Sequence, residues 1–226
     1  MKLATLQMTE SRTISISIPK DKLTELPTVN FNGHISVIDT FESAKSAIHF
    51  LSNQKIVGFD TETRPSFRKG KRYNVSLIQI STINHCFLFR INKLGFFDEL
   101  KQFIENSDII KVGLSLKDDF AVLRKIADFT PNGFIDLQAF VKQYNITDCS
   151  LQKIYAIIFN ERISKSQRLS NWEAEELSIS QQNYASIDAW ACLRIYRHLC
   201  AGEFNPLKSP YLSNQTSTDN HLPSHN

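Results

Sequence analysis

The sequence predicts a single mixed α/β domain. Its 226 residues suit one domain, and an apolar content of 42%, with 16 phenylalanines, is enough for a well-buried core. Short β-branched runs bounded by polar turns lie in the first half of the chain, whereas the pattern after Pro131 is helical. Strands followed by helices in a chain of this length favour one sheet covered by helices.

The individual elements follow from the spacing of the apolar residues. Apolar runs of four to six residues predict strands, and apolar residues three and four apart predict helices. In the first half, the expected strands are 35–38, 56–61, 75–80, 86–90 and 109–113, and the expected helices are 40–52, 96–105 and 115–128. In the second half, the expected helices are 137–144, 151–159 and 179–199.

Composition sets the domain boundaries that we expect. Residues 1–30 read as a polar leader with a weak alternation of isoleucines, and residues 31–204 as the folded domain. Residues 205–226 contain three of the seven prolines and are otherwise mostly small and polar, which is typical of a disordered tail.

Seven glycines in 226 residues exclude some functions. They lie too far apart for a dinucleotide-binding fingerprint or a phosphate-binding loop, so we expect no nucleotide cofactor. The four cysteines are widely spaced, which predicts neither a zinc site nor a disulfide framework. No stretch approaches the roughly 18 apolar residues of a membrane span or a signal peptide's apolar region, so we expect a cytoplasmic protein with no membrane partner.

Two acidic residues end the second predicted strand. Side chains alternate along a strand, so Asp60 and Glu62 share one face. Two adjacent, partly desolvated carboxylates repel each other unless a cation lies between them. Solvated loop acids are the alternative interpretation. A haloacid-dehalogenase-type phosphatase is disfavoured, because it needs an aspartate where Glu62 stands.

A third acid is predicted on the helix that begins near residue 115. Ser115 and Asp118 have capping-box spacing, which gives Asp118 a local role. Asp119 has no such role and lies on the border of the apolar face, between Leu116 and Leu123. We therefore select Asp119 as the functional acid.

The last signal lies on the long C-terminal helix. Ser178 and Gln181 have capping-box spacing, which places Tyr184 and Asp188 on one stripe within the first turns. An aspartate in a stripe of core residues is unusual, although an acid near a helix N-terminus also favours the helix dipole. The phenol and the carboxylate are expected to project into the same space.

These residues resemble the three motifs of the DEDD superfamily of 3'-5' exonucleases. Asp60 with Glu62, then Asp119, then Tyr184 with Asp188 match the tyrosine subtype; the histidine subtype would have His at the position of Asn183. Residues 76–80 and 169–172 extend the likeness, which spans about residues 35–202 and is most similar to the Werner-type exonuclease domain and, more distantly, to ribonuclease D.

The resemblance implies a ribonuclease-H-like fold, with a mixed sheet of about five strands flanked by helices. It also implies two divalent ions, Mg²⁺ or Mn²⁺, which suit hard carboxylate ligands. Asp60, Glu62 and Asp188 would hold one ion, and Asp60 would bridge to a second ion near Asp119. Tyr184 would position the attacking water, and the product would be a nucleoside 5'-monophosphate.

A basic segment follows the first acidic motif and is expected to bind nucleic acid with a free 3' end. Cations beside a metal site can track a phosphate backbone, and Phe67 and Tyr73 are interleaved for stacking; a solvated turn is the alternative. The candidate cations are Arg64, Arg68, Lys69, Lys71 and Arg72, with a second group at Lys165 and Arg168.

Three questions stay open at this point. The greater similarity to the Werner-type domain favours DNA as the substrate, and ribonuclease D-like processing of RNA 3' ends is the alternative. A non-catalytic nucleic-acid-binding module is a second alternative, although no metal carboxylate is missing. The sequence does not indicate the oligomeric state.

Overall fold

A computed structural model describes residues 13–70 and 72–215. Its main sheet has six strands in the order β2-β5-β4-β3-β6-β7, and β4 alone runs antiparallel to both of its neighbours. The strands are β1 (Thr13–Ile16), β2 (His34–Ile38), β3 (Ile56–Thr63), β4 (Val75–Ser81), β5 (His85–Phe89), β6 (Ile110–Gly113), β7 (Phe134–Asp136) and β8 (Leu212–Gln215). The predicted mixed α/β class is confirmed, with six strands in the main sheet where about five were expected.

Helices cover both faces of this sheet. They are α1 (Lys20–Glu25), α2 (Phe41–Ser52), α3 (Ile91–Leu94), α4 (Asp98–Glu105), α5 (Leu116–Leu123), α6 (Leu137–Phe140), α7 (Leu151–Phe159) and α8 (Ile179–Cys200), with 3₁₀ turns at Val141–Tyr144 and Pro206–Lys208. Within the part of the chain that the structure describes, no helix combines the length and hydropathy needed to cross a bilayer.

The two faces of the sheet form two cores. Leu77 and Leu88 belong to the core beneath α7 and α8, whereas Ile78 and Ile80 belong to the core beneath α2, α4 and α5. Every residue of β4 is buried, including three polar ones, which fits its central place in the sheet. Polar groups in this strand therefore need a specific explanation.

Local sequence signals set where the long helices begin. The hydroxyl of Ser178 accepts a hydrogen bond from the backbone N–H of Gln181, and the Gln181 side chain bonds back to Ser178, forming the predicted capping box. Ser150 caps α7 in a similar way, by accepting from the N–H of Lys153. These caps satisfy N–H groups that the helices themselves leave unpaired.

The predicted boundaries of the leader and the tail are wrong, because the residues of both segments that adjoin the domain are part of its fold. Strand β1 pairs antiparallel with β8, from Thr13 opposite Gln215 to Ile16 opposite Leu212. Ile16 and Ile18 are fully buried, and the Ile16 N–H donates to the carbonyl of Asn145. The weak alternation of isoleucines is thus a strand signal, since its inward residues complete the core beneath α7 and α8. Residues 1–12 and 216–226 lie outside the described residues.

Candidate active site

Three carboxylates converge where β3 meets α8. Asp60, Glu62 and Asp188 each offer an oxygen, and these oxygens all lie within 4.8 Å of one another. Asp60 and Glu62 lie two residues apart in β3 and therefore project from the same face, toward α8. All three residues are half-buried, so water screens their mutual repulsion only in part.

A glycine allows this convergence. A Cβ on Gly58 would lie 1.8 Å from the carbonyl oxygen of Ala189, far inside contact distance. The backbone of α8 can approach β3 so closely only because position 58 has no side chain. Ala189 directly follows Asp188, so this contact holds the aspartate of α8 against the acids of β3.

Tyr184 lies one helical turn before Asp188, and its hydroxyl lowers the pKa of the Asp188 carboxyl. This is the arrangement that their spacing predicts. The Tyr184 ring lies 6.0 Å from the ring of Trp172, which is fully buried and supports the tyrosine from the core.

Asp119 lies apart from the three converging carboxylates. It belongs to α5, which packs on the opposite face of the sheet from α8, and its carboxylate accepts a hydrogen bond from the hydroxyl of Thr61. Thr61 lies between Asp60 and Glu62 in β3 and points to the other face, so Asp119 reaches the site from the far side of the strand.

The predicted capping box at Ser115 and Asp118 is wrong. Ser115 has a positive φ of 62° and its side chain makes no capping hydrogen bond; its hydroxyl instead donates to Asp118 at 3.1 Å. The helix is capped by Asp136, whose carboxylate accepts from the N–H groups of Ser115 and Leu116 at 3.2 and 2.9 Å. Sequence reasoning missed Asp136, an acid at the end of a short apolar run.

Burial and crowding raise the pKa values of these acids. Desolvation, followed by the charges of Asp188 and Asp119, raises the pKa of Glu62 from 4.5 to about 9. Desolvation also raises the pKa of Asp188 to about 7 and that of Asp119 to about 6, against the lowering effects of the Tyr184 and Thr61 hydroxyls. The pKa of Asp60 is raised for the same reasons, by desolvation first and then by the neighbouring carboxylates.

This donor set fits a hard divalent cation. A cation among the carboxylates would supply the charge that they lack, and oxygen ligands suit Mg²⁺ and Mn²⁺ better than softer metals. The acidic cluster could therefore bind a metal ion.

A cleft of about 230 Å³ opens beside the acids. Its walls come from β3, the turn after β6, the N-terminal end of α7, the segment between α7 and α8, and α8. The lining residues are Asp60, Leu114, Ser150, Leu151, Gln152, Ile163, Ser164, Lys165, Tyr184 and Asp188. The charge of Lys165 lowers the pKa of Asp188, and that of Arg168 lowers the pKa of Tyr184. Both predicted cations of this segment thus act on the site.

The basic segment after β3 forms a second cleft, of about 370 Å³. It is lined by Arg64, Pro65, Ser66, Phe67, Arg68, Tyr73, Leu169 and Asn171. The Phe67 side chain is 82% exposed, and the Arg64 guanidinium lies 4.9 Å from the centre of the Tyr73 ring. Lys69 and Arg72 are exposed, and Lys71 lies outside the described residues.

The sequence did not indicate the partner of Arg64. Its guanidinium forms an ion pair with Glu173 at 3.1 Å. Glu173 follows the buried Trp172, so this contact joins the basic segment to the loop that supports Tyr184.

Comparison with known proteins gives consistent matches. A protein-family model described as 3'-5' exonuclease matches residues 35–201. The bifunctional 3'-5' exonuclease/ATP-dependent helicase WRN of Mus musculus is 31% identical over 186 residues, covering 77% of this chain and 13% of that protein. Ribonuclease D of Haemophilus influenzae is 25% identical over 169 residues, covering 74% of this chain and 41% of that protein. The chain thus spans less than two thirds of either relative.

A solved structure shows the same fold. The Nibbler EXO domain of Aedes aegypti superposes with a TM-score of 0.69 at 19% identity, covering 80% of this chain and 97% of that domain.

Proposed function

This chain belongs to the 3'-5' exonuclease family, and we propose that it releases nucleoside 5'-monophosphates from the 3' end of DNA with the help of two divalent ions. The observation that carries the proposal is the convergence of Asp60, Glu62 and Asp188 within 4.8 Å, in surroundings that raise their pKa values. Such a cluster is costly unless a cation neutralises it.

The acids divide into two ligand groups. Asp60, Glu62 and Asp188 would hold one ion, and Asp60 together with Asp119 would hold the second. Two divalent ions in such a site stabilise the attacking and leaving oxygens of the phosphodiester. The hydroxyl of Thr61 bonds to one oxygen of the Asp119 carboxylate, which would leave the other oxygen for the ion.

Tyr184 acts in our proposal as a hydrogen-bond donor and not as a base. Desolvation and the neighbouring carboxylates raise the pKa of its phenol above the ordinary value of 10. A phenol that keeps its proton at neutral pH can orient a water or a phosphate oxygen, but it cannot remove a proton.

The two clefts suit a single strand that ends at the acids. The cleft beside Asp60 and Asp188 would take the terminal nucleotide, with Lys165 and Arg168 near its phosphate. The basic segment with Arg64, Arg68, Lys69, Lys71 and Arg72 would follow the phosphates upstream, and the exposed Phe67 can stack on a base.

RNA is the second candidate substrate. Similarity to the Werner-type domain supports DNA, and the 25% identity with ribonuclease D supports RNA. A 2'-hydroxyl is the group that would distinguish the two substrates.

Digestion of matched DNA and RNA strands tests the proposal. Each strand carries a 5' label, so removal of single nucleotides from the 3' end gives a ladder of labelled products that requires Mg²⁺ or Mn²⁺. A faster ladder on DNA supports the first candidate, and a faster ladder on RNA the second. Activity that persists in both Asp60→Ala and Asp188→Ala would contradict the assignment of the site.

A further inference from the structure

Gln79 is a buried amide without a hydrogen bond. It lies in the middle of β4 and is fully buried, yet neither its Oε1 nor its Nε2 has a partner. Among the described residues, the other buried side-chain atoms without a partner are single atoms of Ser76 and Trp172. An unpaired buried amide costs free energy that an apolar residue of similar size would avoid.

The strand register places Gln79 beside the acids. Its Cα partner in β3 is Asp60, and its Cα partner in β5 is Leu88. Directly opposed residues of antiparallel strands project from the same face, with Cβ atoms about 4.5–5.5 Å apart. Leu77 and Leu88 both lie in the core beneath α8, which confirms that this is the face from which Asp60 and Glu62 project.

Three other polar side chains in this part of the molecule already interact with one another or with the backbone. The Ser81 hydroxyl donates to the carbonyl of Thr82, and the Ser186 hydroxyl donates to the carbonyl of Gln182. Burial raises the pKa of the Cys86 thiol, and both of these serines lower it. The register partner of Gln79 that can accept a hydrogen bond is Asp60, whose carboxylate has about four acceptor sites and keeps some of them free even when it is shared by two ions.

We propose that Gln79 is a positioning residue for Asp60, and that its Nε2 donates a hydrogen bond to the Asp60 carboxylate when that carboxylate holds a divalent ion. This inference rests on the proposed function, in which Asp60 is shared by both ions. Ligating carboxylates in proteins are commonly oriented by such an outer hydrogen bond, whose loss weakens metal binding about 10- to 100-fold. On this proposal, the Gln79 amide is unpaired in the metal-free protein because its acceptor, the Asp60 carboxylate, takes the required position only when it holds an ion.

Gln79→Met tests the proposal, because methionine has a similar length and no amide. The expected result has two parts: in chelator, the melting temperature equals or exceeds that of the unsubstituted protein, and calorimetry shows Mn²⁺ binding weakened at least about tenfold. Leu88→Met is the matched control, since it changes the neighbour of Gln79 on the side away from Asp60. It should leave Mn²⁺ affinity unchanged.

A second measurement does not depend on a substitution. In the unsubstituted protein, Mg²⁺ should shift the proton resonances of the Gln79 side-chain amide downfield, as a new hydrogen bond does. Unchanged resonances, or a Gln79→Met protein that binds Mn²⁺ and digests DNA like the unsubstituted one, would overturn the inference. If instead the unsubstituted protein binds no divalent ion and Asp60→Ala stays active, the proposed function itself fails.

Discussion

Each acid of the site has its own effect on stability. Glu62 has a pKa near 4.5 in the unfolded chain and about 9 in the folded one, because desolvation and neighbouring charges oppose its ionisation. The folded state therefore binds more protons than the unfolded state between these values. Folding stability of the metal-free protein should fall as the pH rises through this window. Asp188, with a folded pKa of about 7, adds to the fall at its lower end.

The first prediction is a metal-sensitive pH profile. In chelator, the melting temperature should fall from pH 5 to pH 9, and saturating Mg²⁺ should raise it most at the alkaline end, where the carboxylates are free to ionise. Asp188→Asn should reduce the alkaline fall and lower exonuclease activity by more than about 100-fold, since loss of an outer partner alone can cost that much. Asp118→Asn, at the exposed acid that precedes Asp119 in the sequence, should change neither measurement substantially. A flat profile in chelator would contradict the predicted cost of the acids.

Among the elements, the contact between β3 and α8 decides the geometry of the site. β3 supplies Asp60 and Glu62, α8 supplies Tyr184 and Asp188, and Gly58 is where the two backbones touch. The helix cannot move away from the strand without also moving the tyrosine and the aspartate. Site geometry and core packing are thus coupled through one residue.

Gly58→Ala should separate the two elements. The added methyl group meets a backbone carbonyl, which cannot rotate away as a side chain would, so we expect a loss of about 1–3 kcal/mol or more in stability. Activity measured well below the melting temperature should fall as well, because Asp188 is displaced from Asp60. Gly202→Ala, just after the C-terminal end of α8, meets no atom within 4 Å but has a φ of +70°. It should cost about 1–2 kcal/mol with no change in activity; equal activity losses would refute the coupling.

Over the whole molecule, the net charge of +3 is unevenly distributed. Acids gather at the end of β3, and the exposed cations Arg68, Lys69 and Arg72 follow them along the chain. A nucleic acid strand binding there would displace counterions from its phosphates, so binding should weaken with salt.

The double substitution of Arg68 and Lys69 to alanine should lower this salt dependence. For a single strand, each lost phosphate contact reduces the slope of log affinity against log salt by about 0.7. Fluorescence anisotropy with a labelled strand, in Ca²⁺ or chelator to prevent digestion, measures the slope. Lys142→Ala is the control. This exposed lysine lies two residues before Tyr144, whose hydroxyl bonds to the C-terminal end of α8, whereas Tyr184 and Asp188 lie in the N-terminal half of that helix. A slope unchanged by the double substitution would remove the basic segment from the binding surface.

Residues outside the central sheet also contribute to global stability. Ile16, in β1, and Ile18, just after it, are fully buried and belong to the core beneath α7 and α8. Ile16→Ala should cost about 2–5 kcal/mol by leaving a cavity, whereas Ile14→Ala, at a half-buried position of the same strand, should cost clearly less. Chemical denaturation measures both; equal, small losses would show that β1 is not part of the cooperative unit.

The sequence was most informative where chemistry depends on local spacing. Alternation along β3 and the four-residue spacing of Tyr184 and Asp188 place those side chains correctly. It was least informative about contacts between distant segments. The cap that Asp136 provides for α5, the ion pair of Arg64 with Glu173, and the pairing of β1 with β8 all join residues more than 19 apart, and no periodicity encodes such pairs. Gln79 belongs to the stretch 76–80 that extends the family likeness, but only the register and the burial of β4 show that its amide is unpaired beside Asp60.

Because β1 pairs with β8, the order of the elements along the chain could be changed without changing their arrangement in space. Thr13 and Gln215 are register partners, so the first and last described residues lie about 5 Å apart. A short peptide joining them would close the described chain into a ring, which could be cut open at the exposed turn around Asn53 without separating Asp60, Glu62 and Asp188. Such a circular permutant would make the acids' strand the N-terminal segment, synthesised before any of its neighbours.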